Sequence, residues 1–353
     1  IENILSFEKE YPTAPVIRLE QNYRSTQNIL DAANAVIRNN EGRKGKTLWT
    51  ENGAGEKVQI QTVFNESAEA DFVAGSILKA YSAGREWKDN AVLYRMNAQS
   101  NQLEYAMKRN AIPYRIIGGT RFFDRAEVKD MLAYLCVVNN PTDDLRLKRI
   151  INVPARGIGA RSVDLVQSIA YREGVPMFQV LMAAEQYPEL SRSAAKLQAF
   201  ASLIIEMQGK AEAMELDTFY DEVCLDSGYL TMLEAKNDVE SRSRLENVKE
   251  LKSSIIGYIE NHPDEVTLSG FLDEVALYTD LDDEDTRDNS VVLMTMHSAK
   301  GLEFPAVYVV GLEENVFPGS RAVGNPEEME EERRLCYVAM TRAKEHLTMT
   351  HAK

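Results

Sequence analysis

The sequence predicts an α/β fold in which a parallel sheet is interrupted by a mostly α-helical insertion. Three observations carry that reading. Short apolar runs alternate with amphipathic helical patterns over the first third of the chain. Helical patterns alone fill residues 124 to about 279. Strand-like runs then resume after residue 290. Alternation of strand and helix marks parallel layers, because a parallel connection needs a crossover long enough to hold a helix.

Taken in order, "VIRL" (16–19) reads as a first strand and "STQNILDAANAVIRNN" (25–40) as a helix. Ile29, Ala33, Val36 and Ile37 form its apolar stripe, and Ser25 suits the N-cap, where a hydroxyl can accept from an orphan backbone N–H. "VQIQTV" (58–63), "AVLYR" (91–95) and "YRIIGG" (114–119) are further strands, with helices over 66–83 and 99–110. The acidic stretch "DLDDEDTRDNS" (280–290) reads as a solvated connection rather than a metal site. "VVLMT" (291–295), "AVYVVGL" (306–312) and "HLTMT" (346–350) close the sheet, and "EEMEEERRLCYVAMTRA" (327–343) is a helix whose acidic start and basic end suit its dipole. The expected domains are a discontinuous α/β unit, 1–123 with 282–353, and a helical insertion, 124–281.

Bulk properties narrow the function. At 353 residues the chain has room for two or three domains, each with its own core. No apolar run reaches the ~18 residues of a membrane span, so no membrane partner is expected. The start of the sequence, "IENILSFEKEYP", does not read as a signal peptide. Cys136, Cys224 and Cys336 are far apart and lack metal spacing, which points to a reducing, cytoplasmic setting and to no metal site. The net charge of −15 excludes a protein that coats nucleic acid with its whole surface, since phosphate binding requires positive charge. Any nucleic-acid contact is therefore local.

One stretch imitates a nucleotide-binding loop. "NEGRKGKT" (40–47) matches G-x-x-x-x-G-K-[ST] at Gly45, Lys46 and Thr47, but Asn40 holds the first glycine position. A working loop joins a strand to a helix start, where backbone N–H groups meet phosphate. This one follows a helix and runs into the turn-rich "LWTENGAGEK", so it reads as a basic surface loop.

Other stretches hold more chemistry. "LEQNYRST" (19–26) puts Tyr23 and Arg24 just past a strand and just before a helix, at the carboxyl edge of the sheet where open α/β folds bind ligands. Arginine can fork onto phosphate oxygens and tyrosine can stack on a base; a helix-start arginine beside a packed tyrosine fits equally well, and the residues alone leave both open. The loop "HSAKGLEF" gathers His297, Lys300, Gly301 and Glu303 between two apolar strands. In the last helix Leu335, Val338 and Arg342 share a face, which sets a charge on an apolar stripe. Arg342 then either stabilises the helix end or reaches an anion across a cleft.

These stretches resemble motifs of superfamily-1 DNA helicases of the UvrD/Rep/PcrA group. "QNYRST" is similar to motif IV, "VVLMTMHSAKGLEF" to motif V and "EEERRLCYVAMTRA" to motif VI. "VLYRMNAQS" (92–100) and "GGTRFFDRAEVKDMLAYL" (118–135) match further stretches of that group, so the likeness runs from end to end. The resemblance implies the C-terminal half of such an enzyme: a RecA-like domain, 2A, with the P-loop NTPase fold but no P-loop of its own, carrying an insertion, 2B. It implies ATP with Mg2+ as cofactors, the Mg2+ ligands lying in the N-terminal RecA-like half. Tyr23 would stack on adenine, Glu303 would contact the ribose, and Arg24 and Arg342 would reach the γ-phosphate. His297 and Lys300 would couple the ATP cleft to the DNA track, and Arg95 and Asn97 would lie along single-stranded DNA.

The insertion holds "LRLKRIINVPARGIGAR" (145–161), with five basic residues and no acidic ones. "GIG", Gly157 to Gly159, leads into a helix whose N–H groups could meet a phosphate. It resembles the duplex-binding element of 2B, with Arg156 and Arg161 beside it; a plain helix-start turn is the alternative. A P-loop, a magnesium-binding Asp-Glu pair and motif III do not occur in the chain, so by itself it is expected not to hydrolyse ATP. The full protein would be an ATP-dependent 3′-to-5′ DNA helicase acting in replication or repair on single strands and duplex junctions, with replication and repair proteins as possible partners. The motor part of a helicase–nuclease subunit, or a DNA- or partner-binding module without ATPase activity, are the competing readings.

Overall fold

A computed structural model describes residues 11, 13, 15, 17, 19–41, 47–236, 238–280 and 288–353. In chain order its elements are α1 (Gln27–Ile37), β1 (Gln59–Val63), α2 (Glu66–Ser82), β2 (Asn90–Tyr94), α3 (Ser100–Arg109), β3 (Tyr114–Ile117) and α4 (Ala126–Asn139). The helical run continues with α5 (Asp144–Ile150), α6 (Ala160–Glu173), α7 (Met177–Met182), α8 (Ala194–Ala213), α9 (Leu216–Asp226), α10 (Tyr229–Lys236), α11 (Val239–Asn261) and α12 (Leu268–Asp280). β4 (Val291–Thr295), β5 (Phe304–Val309), α13 (Pro326–Met340) and β6 (Ala343–Ala352) complete the chain. Two compact units result: Ile1–Phe64 with Asp89–Leu93 and Met296–Lys353, and Asn65–Lys88 with Tyr94–Thr295.

In the first unit β1, β6, β5 and β2 lie side by side in that order, all parallel. β6, last in the chain, therefore runs between β1 and β5, with Gln59 opposite Thr348 and Val63 opposite Ala352. β5 is buried along almost its whole length, as a strand in a parallel sheet must be when both faces are covered. α1 packs against α13, burying Ile29, Leu30 and Ala33. The expected strand at 16–19 falls partly outside the described residues, at 16 and 18. Ile17 and Leu19 belong to no strand, and a single Gln21–Trp49 bridge is the pairing nearby.

The helix start departs from expectation. Ser25 is not the N-cap of α1: Thr26 is, and its side chain makes no capping bond. The Ser25 hydroxyl is instead buried and donates to the Ala343 carbonyl at 2.6 Å. The first N–H groups of α1 are satisfied by the turn-rich loop after it, Gln27 N donating to Gly53 O at 2.9 Å and Asn28 N to Ala54 O at 3.0 Å. That loop needs Gly55, whose φ is +69° and whose added Cβ would lie 2.3 Å from Thr26 Cβ.

In the second unit β3 and β4 pair in parallel, Tyr114 opposite Val291. Between Ile117 and Val291 the described residues form helices and turns without a strand. These helices enclose one core, including Met131, Tyr134, Leu135, Phe200, Phe219 and Leu251, each fully buried or nearly so. Burying an aliphatic or aromatic side chain of this size contributes ~1.5–3 kcal/mol, which makes that core the main source of the insertion's stability. The acidic connection lies largely outside the described residues, at 281–287. No helix among the described residues is long and apolar enough to cross a membrane.

One partly buried carboxyl in this unit has a measurable consequence. Burial lifts the Glu250 carboxyl from its ordinary 4.5 to about 7, against a hydrogen bond from Asn101 and with Glu66 adding to the rise. Asn101 Nδ2 lies 2.9 Å from its Oε1. Between those two values the folded chain holds a proton that the unfolded chain has lost. Stability therefore falls as pH rises from 4.5 to 7 and stays low above it. Glu250→Gln is expected to raise stability at pH 8 by on the order of 1 kcal/mol and to have no effect near pH 5, measured by thermal melts at both values.

Candidate functional site

Three segments of the first unit, residues 21–26, residues 302–304 and residues 341–344, meet where β5 and β6 begin, at the amino ends of those strands rather than at the carboxyl edge expected for Tyr23 and Arg24. Backbone bonds lock them together. Thr26 N donates to Lys344 O at 3.0 Å and Phe304 N to Arg342 O at 2.9 Å. Asn22 Oδ1 accepts from the N–H groups of Arg24 at 2.9 Å and Ser25 at 2.8 Å, turning the chain so that Arg24 points at the junction.

There Arg24 Nε bonds Glu303 Oε2, and Arg24 Nη1 donates to Thr341 O at 3.2 Å. The other carboxylate oxygen of Glu303 takes Lys344 Nζ at 2.9 Å. Hydrogen bonds from Arg24 first, and then from Lys344, hold the Glu303 carboxyl down at about 2. Arg342 is half-buried and spends its donors on carbonyls: Nε on Val338 O at 3.0 Å and Nη1 on Leu302 O at 3.2 Å. Its Nη2 reaches Thr341 Oγ1 at 3.3 Å. Burial first, and then the like charge of Arg24, lowers the Arg342 guanidinium from its ordinary value. The charge on the apolar stripe thus sits over the last carbonyls of α13, within electrostatic reach of a second arginine. Two cations, Arg24 and Lys344, share the Glu303 carboxylate and a third, Arg342, stands nearby, so the cluster carries an excess of positive charge.

The other expected residues of this unit stand around that cluster. Tyr23 is 79% exposed, its hydroxyl held by Gln21 Oε1 at 2.9 Å and its carbonyl by Asn52 Nδ2 at 3.2 Å. An exposed ring pinned at its hydroxyl offers a stacking face. His297 and Lys300 are exposed on the turn leading to Glu303, which buried Met296 and Ala299 anchor. In "NEGRKGKT", Gly45 and Lys46 lie outside the described residues. Asn40 is buried and donates through Nδ2 to Glu330 O at 2.9 Å, while its Oδ1 accepts from Arg333 at 3.3 Å. The position where a P-loop needs glycine is a side-chain anchor between α1 and α13.

In the second unit Arg95 and Asn97 flank the turn into α3. Gln99 Oε1 caps that turn, accepting from Arg95 N and Met96 N at 2.9 Å each. Asn97, Gly119, Thr120, Arg125, Arg244 and Asn247 line an open cleft of about 280 Å³. Behind it Arg125 is buried and donates to Asn247 Oδ1 at 2.8 Å and Ser100 Oγ at 2.6 Å, and Ser100 Oγ donates to Glu104 Oε1 at 2.7 Å. Glu104 also accepts from Phe122 N at 3.1 Å, so the wall of the cleft is fixed by a satisfied polar network.

Around "GIG" the basic cluster is less free than its sequence suggests. Arg146 pairs with Asp143 at 2.7 Å and Arg149 with Asp130 at 2.7 Å, acids that lie outside residues 145–161. Arg156 turns inward: Nη1 donates to Ile150 O and Pro154 O at 3.1 Å each, and Nη2 to Tyr134 Oη at 2.7 Å and Ser227 O at 2.9 Å. Its guanidinium lies 5.1 Å from the Phe200 ring centre. Asn152 Oδ1 holds the loop by accepting from Arg156 N at 2.8 Å and Ile158 N at 3.1 Å. Gly157, with φ +68°, and Gly159, the N-cap of α6, are exposed, as is Arg161 in the first turn.

Comparison with known proteins decides the family. A family described as the UvrD-like helicase C-terminal domain matches residues 17–353. The chain belongs to that family. It is 48% identical over 355 residues to the ATP-dependent DNA helicase PcrA of Staphylococcus aureus strain Mu50, across 100% of this chain and 48% of that protein. PcrA of Staphylococcus epidermidis strain RP62A is 47% identical, across 100% of this chain and 49% of its own length. The chain therefore spans about half the length of the curated relatives it matches. Among solved structures, the C-terminal domain of a possible DNA helicase from Lactobacillus plantarum WCFS1 covers 94% of this chain and 88% of its own at 12% identity, with a TM-score of 0.34 that adds nothing to the argument.

In this UvrD-like chain the architecture is a RecA-like parallel sheet with a helical insertion. Sequence reading found Arg24, Glu303 and Arg342 and missed Lys344. The signal was its proximity: Lys344 follows Arg342 by two residues, at the start of β6. The resemblance sets Glu303 at one ATP site with the arginines, but no local pattern announces its direct bond to Arg24, 279 residues away in sequence.

Proposed function

We propose that this chain is the second motor half of an ATP-driven DNA helicase that moves 3′ to 5′ along single-stranded DNA in replication or repair. The observation that supports this best is the cluster of Arg24, Arg342 and Lys344 around Glu303. A cationic cluster at strand ends, with an exposed tyrosine beside it, suits a nucleotide whose phosphates are held by another domain. Residues 1–123 and 282–353 form domain 2A and residues 124–281 form 2B. Tyr23 stacks on the adenine, Glu303 contacts the ribose, and Arg24 and Arg342 meet the γ-phosphate. His297 and Lys300 relay closure of the ATP cleft to the DNA track.

Arginines placed this way stabilise the charge that develops on the transferred phosphoryl group, an effect of ~10³–10⁵ in rate. The residues of the cluster do not fit magnesium. Glu303, the carboxylate of the cluster, is taken by two cations, and no group of three or more candidate metal ligands occurs among the described residues. Mg2+ would accompany ATP on the P-loop side. Arg95 and Asn97 line the single-strand track. Duplex at the junction meets the backbone N–H groups of Gly157 and Gly159 and the side chain of Arg161, with Arg156 holding that loop from within.

Unwinding assays on the full-length protein test the proposal. A duplex with a 3′ single-stranded tail is expected to be opened in an ATP-dependent way and one with a 5′ tail to be left intact. DNA binding without ATP-dependent opening of either would favour a module without motor activity.

A further inference from the structure

We propose that Lys344 is a positioning residue that keeps the Glu303 carboxylate in place when Arg24 turns to a phosphate. This rests on the nucleotide reading of the cluster given above and adds a residue to it.

The geometry divides Glu303 between two cations. Arg24 Nε takes Oε2, and Lys344 Nζ takes Oε1 at 2.9 Å. The two bonds use different oxygens, so one can break while the other holds. Both cations are fixed from behind. The Lys344 carbonyl accepts from Thr26 N at 3.0 Å, and the Ala343 carbonyl from Ser25 Oγ at 2.6 Å. The backbone that bears Arg24 is thus tied to the backbone that bears Lys344. Arg342 stands close enough to repel Arg24, while its own donors are committed to Val338 O and Leu302 O.

Arg24 is therefore pulled toward Glu303 and pushed by Arg342. To reach a γ-phosphate it must leave the carboxylate. If Glu303 had no second cation, that departure would strand a carboxylate, and its attraction would oppose the move. Lys344 removes the opposition by neutralising Glu303 before and after. The depressed carboxyl value of Glu303, shared between Arg24 and Lys344, agrees with both cations acting on one charge. Lys344 acts through Glu303 and touches no reacting atom.

The test is ATP hydrolysis by the full-length protein carrying Lys344→Met, Lys344→Arg, Glu303→Gln and the Met/Gln pair, with single-stranded DNA saturating. K344M is expected to lower kcat/KM for ATP about ten-fold, within the range of coupled charged neighbours. Binding of ADP, which lacks the γ-phosphate, is expected to be unchanged, and K344R is expected to restore turnover. In the E303Q background the same K344M change is expected to have no further effect, because no carboxylate is left to neutralise. An equal ten-fold loss in both backgrounds, or no loss in the wild-type background, overturns the proposal. A parallel Arg24→Ala variant separates the two levels: normal turnover there overturns the nucleotide reading itself, whereas its loss beside a silent K344M overturns the role of Lys344 alone.

Discussion

Replacing Arg24 by alanine in the full-length protein is expected to lower kcat for ATP by at least about 10³-fold while nucleotide binding stays within a few-fold of wild type. The side chain reaches Glu303 and Thr341 from a turn fixed by Asn22, so its removal leaves the fold of the junction intact. What disappears is one of the two guanidinium groups proposed to meet the phosphates. An interaction made only in the transition state lowers kcat without raising KM in proportion. Steady-state turnover together with titration of a fluorescent nucleotide checks both halves of the expectation.

The second large effect separates two arginines that sequence treats alike. Arg156→Ala is expected to destabilise the insertion by about 3 kcal/mol, because four acceptors lose a charged donor and a packed guanidinium leaves the face of Phe200. For a unit of this size the melting temperature falls by roughly 6–12 °C. Arg161→Ala is expected to leave the melting temperature unchanged. It should weaken duplex binding and reduce the salt slope of binding by about 1, the signature of one lost phosphate contact. Thermal melts and a duplex titration at several salt concentrations measure both. An unshifted melt for Arg156→Ala would mean that its inward bonds do not support the loop.

That contrast shows what sequence conveys here and what it does not. The strands 58–63, 91–95, 291–295 and 346–350 were legible to within a few residues, because apolar runs bounded by turns leave little choice in a parallel sheet. The helices at 25–40, 66–83, 99–110 and 327–343 followed equally well from their periodicity, whereas the pattern over 124–279 announced helices without dividing them. Roles that depend on distant partners were hidden. Ser25 looks like a cap until Ala343 accepts its hydroxyl from 318 residues away. Counting charges between 145 and 161 gave an open basic patch, but Asp143, just before that window, and Asp130, on the preceding long helix, neutralise two of its members. Asn40 reads as a defect in a phosphate loop, whereas its amide ties α1 to α13. Each of these is a contact set by tertiary packing, and no local pattern encodes it.

The same limit bears on Arg342. Its place on the stripe after Leu335 and Val338 fits both a helix-end cation and an anion-facing one, and the structure shows the first of these contacts. It covers the carbonyls of Val338 and Leu302 and lies near enough to Arg24 to be lowered by it. A group that stabilises its own helix end is already fixed in position when an anion arrives, which is the condition for an arginine to act in a transition state without reorganising.

The central claim is that this chain supplies half of an ATP cleft, its arginines acting on phosphates bound elsewhere. The most direct measurement is ATP hydrolysis with single-stranded DNA, for this chain alone and for its mixture with the P-loop half of the motor at concentrations where the two co-elute. No hydrolysis alone, and hydrolysis on mixing that disappears with Arg24→Ala, is the predicted result. Hydrolysis by this chain alone would contradict it.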